Sequence, residues 1–234
     1  MDSRSTSPGT TAIARDVTVR VAEVFCSIQG EGVSLGLPSI FVRLQGCSVG
    51  CTWCDTKYSW APNKGRAMNL ATLLDQVCAA SPANVVVTGG EPLENPAFGP
   101  LVVALHDAGK RVEVETAGVE VPPAVPVDQW NVSLKLSSSG VPECRRLCDD
   151  AIGSFRELGA WFKFVVSAEC DVDEVLAIQL RYALPSSRVI LMPLGMRRDE
   201  QVAAMPAVAD WCRRHGFRFS PRLHILIWGP RRGV

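Results

Sequence analysis

Residues 39–54 read SIFVRLQGCSVGCTWC, and this stretch decides how the rest of the chain is read. Its first half, Ser39 to Gln45, is mostly apolar and β-branched and reads as a strand with Arg43 inside it. Its second half sets Cys47, Cys51 and Cys54 at C-x3-C-x2-C spacing on one short loop. Three thiolates on one loop can converge on one metal centre. A structural zinc site usually wants four protein ligands, from CxxC pairs that recur, and this chain has no second CxxC. Three cysteines suit a [4Fe-4S] cluster with one iron left open to bind a substrate or cofactor. A zinc site completed by a distant His or Cys, and three loop cysteines without any ligand, are the alternatives.

Working outward, the chain alternates short apolar strands with helical stretches. An N-terminal strand is expected over residues 17–25, then strands over 39–45, 85–88, 111–115, 130–134, 161–166 and 188–192. Helices are expected over 69–80, 96–108, 142–158, 171–182 and 199–215, three of them closed by Gly109, Gly159 and Gly216. Residues 217–219 and 224–228 read as short and extended. A β-α-β-α series of this kind predicts an α/β fold with helices packed on a parallel sheet. With about six core strands, the expectation is a partial (β/α) barrel or an open twisted sheet.

The 234 residues fit one domain, slightly short of the roughly 250 of a full eight-fold barrel. A hydrophobic fraction of 47% with 21% charged residues excludes a disordered chain. Twenty-four basic residues balance twenty-four acidic ones, so no global attraction to nucleic acid or anionic lipid is expected. No apolar run approaches the roughly 18 residues that span a bilayer. Residues 1–16, rich in Ser, Thr, Pro and Gly, read as a flexible tail without a secretory signal, ahead of a single domain over 17–234. A cytoplasmic location is the expectation.

Nine cysteines cannot all pair within one chain, and the cytosol disfavours disulfides. Cys144 and Cys148 fall four apart in an expected helix, where they would share a face. They and the isolated Cys26, Cys78, Cys170 and Cys212 read as packing residues.

The cysteine spacing after a strand resembles the radical S-adenosylmethionine (SAM) enzymes. Residues 85–92, VVVTGGEP, resemble that family's second motif, a strand running into a turn that contacts SAM. The residue types are suited to this contact, since Gly89 and Gly90 let backbone approach a ligand and Glu91 can accept from an ammonium. The resemblance implies a [4Fe-4S] cluster, SAM bound at its open iron, and the family's partial barrel.

Further stretches are similar to one family within that group, the 7-carboxy-7-deazaguanine synthases. They are EVFCSIQGEG (23–32), PSIFVRLQGC (38–47), CTWCDTKYSW (51–60), ETAG (115–118), SLK (133–135), KFVV (163–166), LMPLG (191–195) and PRLHILIWG (221–229). This resemblance implies conversion of 6-carboxy-5,6,7,8-tetrahydropterin to 7-carboxy-7-deazaguanine with loss of ammonia, dependent on Mg²⁺. It implies that Ile28, Gln29, Gly30 and Glu31 hold the pterin, with Thr88 and His224 also on the substrate side. Arg43 matches the residue for the substrate carboxylate, and a guanidinium is shaped for that group. Thr56 matches a Mg²⁺ ligand; the ion keeps waters and takes other ligands from substrate. Trp53, Cys54, Asp55, Gly90, Glu91, Ser133, Leu134, Lys135, Met192, Pro193, Leu194 and Gly195 match segments lying against SAM. Leu134 stands where relatives usually have Pro, and Leu194 where many have an acidic residue. Glu115 is a candidate acid/base.

The resemblance also implies a homodimer and an electron donor such as flavodoxin or ferredoxin, with no nucleic-acid or membrane partner. Two other functions stay open on the sequence. One is another small radical SAM enzyme, such as an activase for a glycyl-radical protein. The other is a zinc or electron-carrier module without SAM chemistry.

Overall fold

The computed structural model describes residues 17–234, so the expected tail over 1–16 lies outside the described residues. Among the described residues one sheet of nine strands organises the fold, in the spatial order β3-β1-β2-β4-β5-β6-β7-β8-β9. The strands are β1 (Thr18–Ile28), β2 (Pro38–Leu44), β3 (Arg66–Asn69), β4 (Asn84–Gly89), β5 (Arg111–Thr116), β6 (Gln129–Val132), β7 (Trp161–Val166), β8 (Val189–Pro193) and β9 (Arg218–Phe219). From β2 onward, apart from β3, every pairing is parallel. β1 pairs antiparallel with both β2 and β3 at one end. The sheet does not close, so the partial barrel expected from the sequence is present: β1 is the expected N-terminal strand, β2 and β4 to β8 are the six expected core strands, and β3 and β9 add the two edges. The short extended stretch expected over 217–219 contains β9, whereas β3 escapes a pattern-based reading because four residues are too short to show a period.

The central strands explain the topology. In β4, Val85, Val86 and Val87 are all fully buried, which is what a parallel strand covered on both faces requires. The outer face of the sheet is covered by α1 (Leu70–Cys78), α2 (Phe98–Asp107), α4 (Asp149–Glu157), α5 (Glu169–Tyr182) and α6 (Arg198–His215), while the single turn α3 (Glu143–Arg146) is tied by Arg146 to the Lys135 carbonyl and to Glu174. α1 starts where its sequence says: the Asn69 side chain accepts from the Ala71 backbone N–H at 2.9 Å, and Leu70, Leu73 and Val77 turn inward. The three expected glycine stops, at 109, 159 and 216, all take positive φ. Phe155 on α4 and Phe162 and Phe164 on β7 are among the largest fully buried side chains, each contributing about 1.5–3 kcal/mol on burial.

Three expectations need correction. The helix expected over 142–158 is two helices, because Leu147 adopts an extended conformation between α3 and α4. Cys144 and Cys148 therefore do not share one helical face. Of the cysteines expected to pack, Cys212 is buried and Cys148 half-buried, but Cys26, Cys78, Cys144 and Cys170 are exposed. Residues 224–228 are not extended but belong to a short helix, α7 (Leu223–Trp228). Its run of Leu, Ile and Trp lacks polar spacing, and tertiary packing decided its conformation. No helix among the described residues is long and apolar enough to cross a membrane.

Candidate active site

The C-terminal ends of the parallel strands surround a cavity of about 350 Å³. Such ends are where curved α/β sheets hold their ligands. Arg43 from β2, Thr88 to Gly90 from β4, Glu115 from β5, Lys163 from β7 and Met192 to Gly195 from β8 all reach it. β1 contributes through its far half. Its register against β2 shifts between Val21 and Glu23, separating the core-facing Val19 and Val21 from the cavity-lining Glu23 and Phe25.

The loop after β2 brings Cys47, Cys51 and Cys54 to this one cavity. They pack with Val49, Ala117 and Val141 in a small apolar cluster separate from the main core. Burial pushes the Cys47 thiol up to about 11 and raises that of Cys51, so both stay neutral at ordinary pH unless a bound cation deprotonates them. The indole N–H of Trp60 donates to Cys54 Sγ at 3.3 Å, and the Thr56 hydroxyl lies 3.5 Å from the same sulfur. Three thiols on one wall, an apolar surround and a donor to sulfur fit an iron–sulfur cluster. Among the described residues, no three His, Cys, Asp or Glu groups could hold a single metal ion as placed. The next wall is close: a Cβ on Gly90 would stand 2.6 Å from Cys47 Cβ.

The same cavity is lined by a connected set of charges. Lys163 Nζ bridges Glu31 Oε2 at 2.6 Å and Glu115 Oε2 at 2.8 Å. Arg222, just ahead of α7, donates from Nε to Glu31 Oε1 at 3.0 Å and pairs also with Asp55. Burial works against ionisation of Glu31, yet Lys163 and Arg222 outweigh it and hold this carboxyl well below the usual range. For Glu115, burial dominates over the attraction of Lys163, and Glu31 and Glu113 repel, so its pKa rises to about 7. Burial also lowers the pKa of His224, leaving a neutral imidazole. That ring lies over Gly30, where an added Cβ would come within 2.1 Å of its Nδ1.

At the β1–β2 side, Arg43 Nε pairs with Glu23 at 2.8 Å. Glu23 also accepts from the Tyr58 hydroxyl at 2.5 Å and meets Arg232 at 3.5 Å. The Arg232 guanidinium sits 3.6 Å from the Tyr58 ring centre, and residues 230–234 form part of the cavity wall.

Of the residues singled out from the sequence, Ile28, Gln29, Gly30, Glu31, Arg43, Trp53, Asp55, Thr56, Thr88, Gly90, Glu115, Ser133, Lys135, Met192 to Gly195 and His224 all line the cavity with the three cysteines. Two do not. Leu134 is 1% exposed within the core. Glu91 turns away: its carboxylate accepts from the Thr116 hydroxyl at 2.6 Å and the Ala117 N–H at 2.7 Å, bracing the turn after β4 against that after β5. The Gln29 amide, expected to serve the pterin, is engaged by protein. Its NH₂ donates to Glu113 and Glu115 and its oxygen accepts from the Glu31 N–H. Lys135 donates to the carbonyl and hydroxyl of Ser133 at 2.6 and 2.9 Å, with its ammonium 5.8 Å from the Trp53 ring centre. Sequence reasoning missed Glu23, Tyr58, Lys163 and Arg222. The signal that singled out Arg43, a charge inside an apolar strand, was equally present at Lys163 in WFKFVV.

A family model described as the radical SAM superfamily matches residues 41–128, from β2 to just before β6. A 7-carboxy-7-deazaguanine synthase from Pyrobaculum aerophilum is 44% identical over 222 residues, covering 92% of this chain and 97% of the relative. The chain belongs to the 7-carboxy-7-deazaguanine synthase family. Another member of this synthase family, from Hyperthermus butylicus, is 37% identical over 236 residues, covering 97% of this chain and all of the relative. Among solved structures, QueE from Escherichia coli superposes with a TM-score of 0.73 at 25% identity, covering 94% of this chain and 100% of that one. SuiB from Streptococcus suis, solved bound to S-adenosylmethionine, has a TM-score of 0.55 at 13% identity over 79% of this chain and 50% of its own. The likeness to SuiB shows the fold alone.

Proposed function

We propose that this chain converts 6-carboxy-5,6,7,8-tetrahydropterin to 7-carboxy-7-deazaguanine with loss of ammonia, as a radical SAM lyase serving queuosine or another deazapurine. The observation that carries this reading is one cavity lined together by the cysteine triad, Arg43 and the Glu31–Lys163–Glu115 group. Cys47, Cys51 and Cys54 would hold the [4Fe-4S] cluster. The turns at Gly90, Ser133–Lys135 and Met192–Gly195 would hold SAM. When bound, the pair supplies reductive carbon–sulfur cleavage and hydrogen abstraction from the substrate ring.

The chain's own residues do the rest. Arg43 takes the pterin carboxylate, exchanging part of its contact with Glu23 for a charge-assisted bond of matched geometry. Neutral His224 offers one donor and one acceptor to the heterocycle. The buried walls exclude water from a reactive radical. Thr56 would contribute a hydroxyl to Mg²⁺, with water and substrate completing the shell. Residues 17–234 would act as one domain, in a cytoplasmic homodimer reduced by a flavodoxin or ferredoxin.

One anaerobic assay tests the reading. Cluster-reconstituted protein receives SAM, dithionite, Mg²⁺ and 6-carboxytetrahydropterin, and products are followed by mass spectrometry. The expected result is 7-carboxy-7-deazaguanine that disappears with Cys51→Ala. Formation of 5′-deoxyadenosine alone would keep the radical chemistry and reject the substrate.

A further inference from the structure

The charges meeting in the cavity form an ordered chain: Asp55, Arg222, Glu31, Lys163, Glu115, with each cation between two carboxylates. They come from five separate segments: the cysteine loop, the lead-in to α7, the turn after β1, then β7 and β5. Glu31 is gripped by a cation on each side. Glu115 ends the chain. Its cationic partner is Lys163, and among the described residues its other oxygen meets amides alone, Gln29 at 3.3 Å and Asn131 at 3.2 Å. Both amides sit closer, at 2.7 Å, to Glu113.

We propose that Lys163 is a positioning residue that separates the roles of the two carboxylates facing the substrate, fixing Glu31 as a permanent anion and leaving Glu115 to exchange a proton with the pterin ring. The assignment rests on the pterin reading and adds to it a division of labour. The charge count supports it. Three carboxylates share two cations along the chain, and the low-dielectric interior places a proton on the least compensated anion. Glu113, beside Glu115 on β5, already has Arg111 at 3.3 Å and the two amides. The directions of the shifts agree: Glu31 is held low, and Glu115 stands at about 7, where it can both take and return a proton.

The step balances. When ammonia leaves, the carbon–nitrogen bond breaks with its electron pair going to nitrogen. A ring C–H proton passes to Glu115, the C–H pair forms the new ring double bond, and Glu115 returns one proton to the departing nitrogen, so it ends in its starting state. The groups that bias it are Lys163 from β7, Glu31 from the turn after β1, and Glu113 with Arg111 behind it on β5. Arg222 and His224 at α7 and Asp55 in the cysteine loop act on it through Glu31.

Infrared titration of the cluster-loaded enzyme tests this without substrate. The protonated-carboxyl band that Glu115→Gln removes should titrate near neutral pH. Lys163→Met should move that midpoint up by about one pH unit or more, and Lys163→Arg should restore it. Glu31→Gln should move it down, because one repelling anion is gone and Lys163 then serves Glu115 alone. In wild type, the pH profile of kcat/KM for 7-carboxy-7-deazaguanine formation should share the midpoint. A merely structural lysine predicts lost thermal stability with the midpoint unmoved in both variants, and that result would overturn the proposal. If Lys163→Met does not fold, Glu31→Gln decides, since only the proposed arrangement gives a downward shift. Absence of 7-carboxy-7-deazaguanine with wild type rejects the pterin reading independently of the infrared midpoints.

Discussion

Gly90→Ala tests whether the cluster loop is held by backbone contact with the turn after β4. An ideal Cβ at this position would stand 2.0 Å from the carbonyl oxygen of Gly46 and 2.6 Å from Cys47 Cβ. The first of these is backbone, so no rotamer change relieves it. The oxygen it meets accepts the Glu91 N–H at 2.8 Å, and the Gly90 N–H itself donates to Leu44 at 3.2 Å. A normal carbon–oxygen contact requires the two turns to part by over an ångström, straining or breaking both bonds. Overpacking of this kind costs about 1–3 kcal/mol, and a lost buried hydrogen bond adds about 1 kcal/mol. For a chain of this length each kcal/mol is worth about 2–4 °C, so the melting temperature should fall by roughly 5–15 °C. Because Cys47 lies on the displaced loop, iron and sulfide content after anaerobic reconstitution should fall as well. The assays are calorimetry of the reconstituted protein and colorimetric iron determination. A variant that melts within about 2 °C of wild type and takes up full iron would refute the contact argument.

Gly153→Ala is the contrasting case: nothing lies within 4 Å of its Cβ position inside α4, and calorimetry should show a gain of about 0.5–1 kcal/mol. Trp60→Phe removes the N–H that points at Cys54 Sγ, so a redox titration of the cluster should give a more negative potential; an unchanged one would exclude that bond from tuning it. The depressed pKa of Glu31 contributes stability that is complete above its unfolded value of 4.5 and is lost as pH falls below it. Denaturant midpoints measured from pH 6 down to pH 3 should therefore fall more steeply for wild type than for Glu31→Gln, and equal slopes would contradict the pairing with Lys163 and Arg222.

The cysteine loop and the strand–turn at 85–92 were legible because their meaning is local: spacing along the chain sets which groups share a loop. Helix starts and stops were legible for the same reason, as at Asn69 and Gly216. What escaped was set by distance in space. Arg222 is an unremarkable residue in PRLHILIWG until the fold carries α7 across to Glu31, 191 positions away, and to Asp55. By residue type Gln29 and Glu91 suit ligand contact, since amides and carboxylates match pterin and ammonium. The structure engages both with protein donors and acceptors that no spacing rule foretells.

β5 shows why the remainder resisted reading. RVEVET alternates polar and apolar residues as a strand with one solvent face would. Val112 and Val114 do turn into the main core, but Glu113 on the other face is fully buried. In a curved, unclosed sheet packed with helices outside, the polar face is the lumen. There Arg111, Glu113, Gln29, Asn131, Glu115 and Lys163 satisfy one another in a continuous network. The alternation is the same whether the polar face meets water or other buried charges. What separates the two is burial with partners on other strands. Within that network Glu115 is the carboxylate that also lines the cavity, with Lys163 as its ion-pair partner.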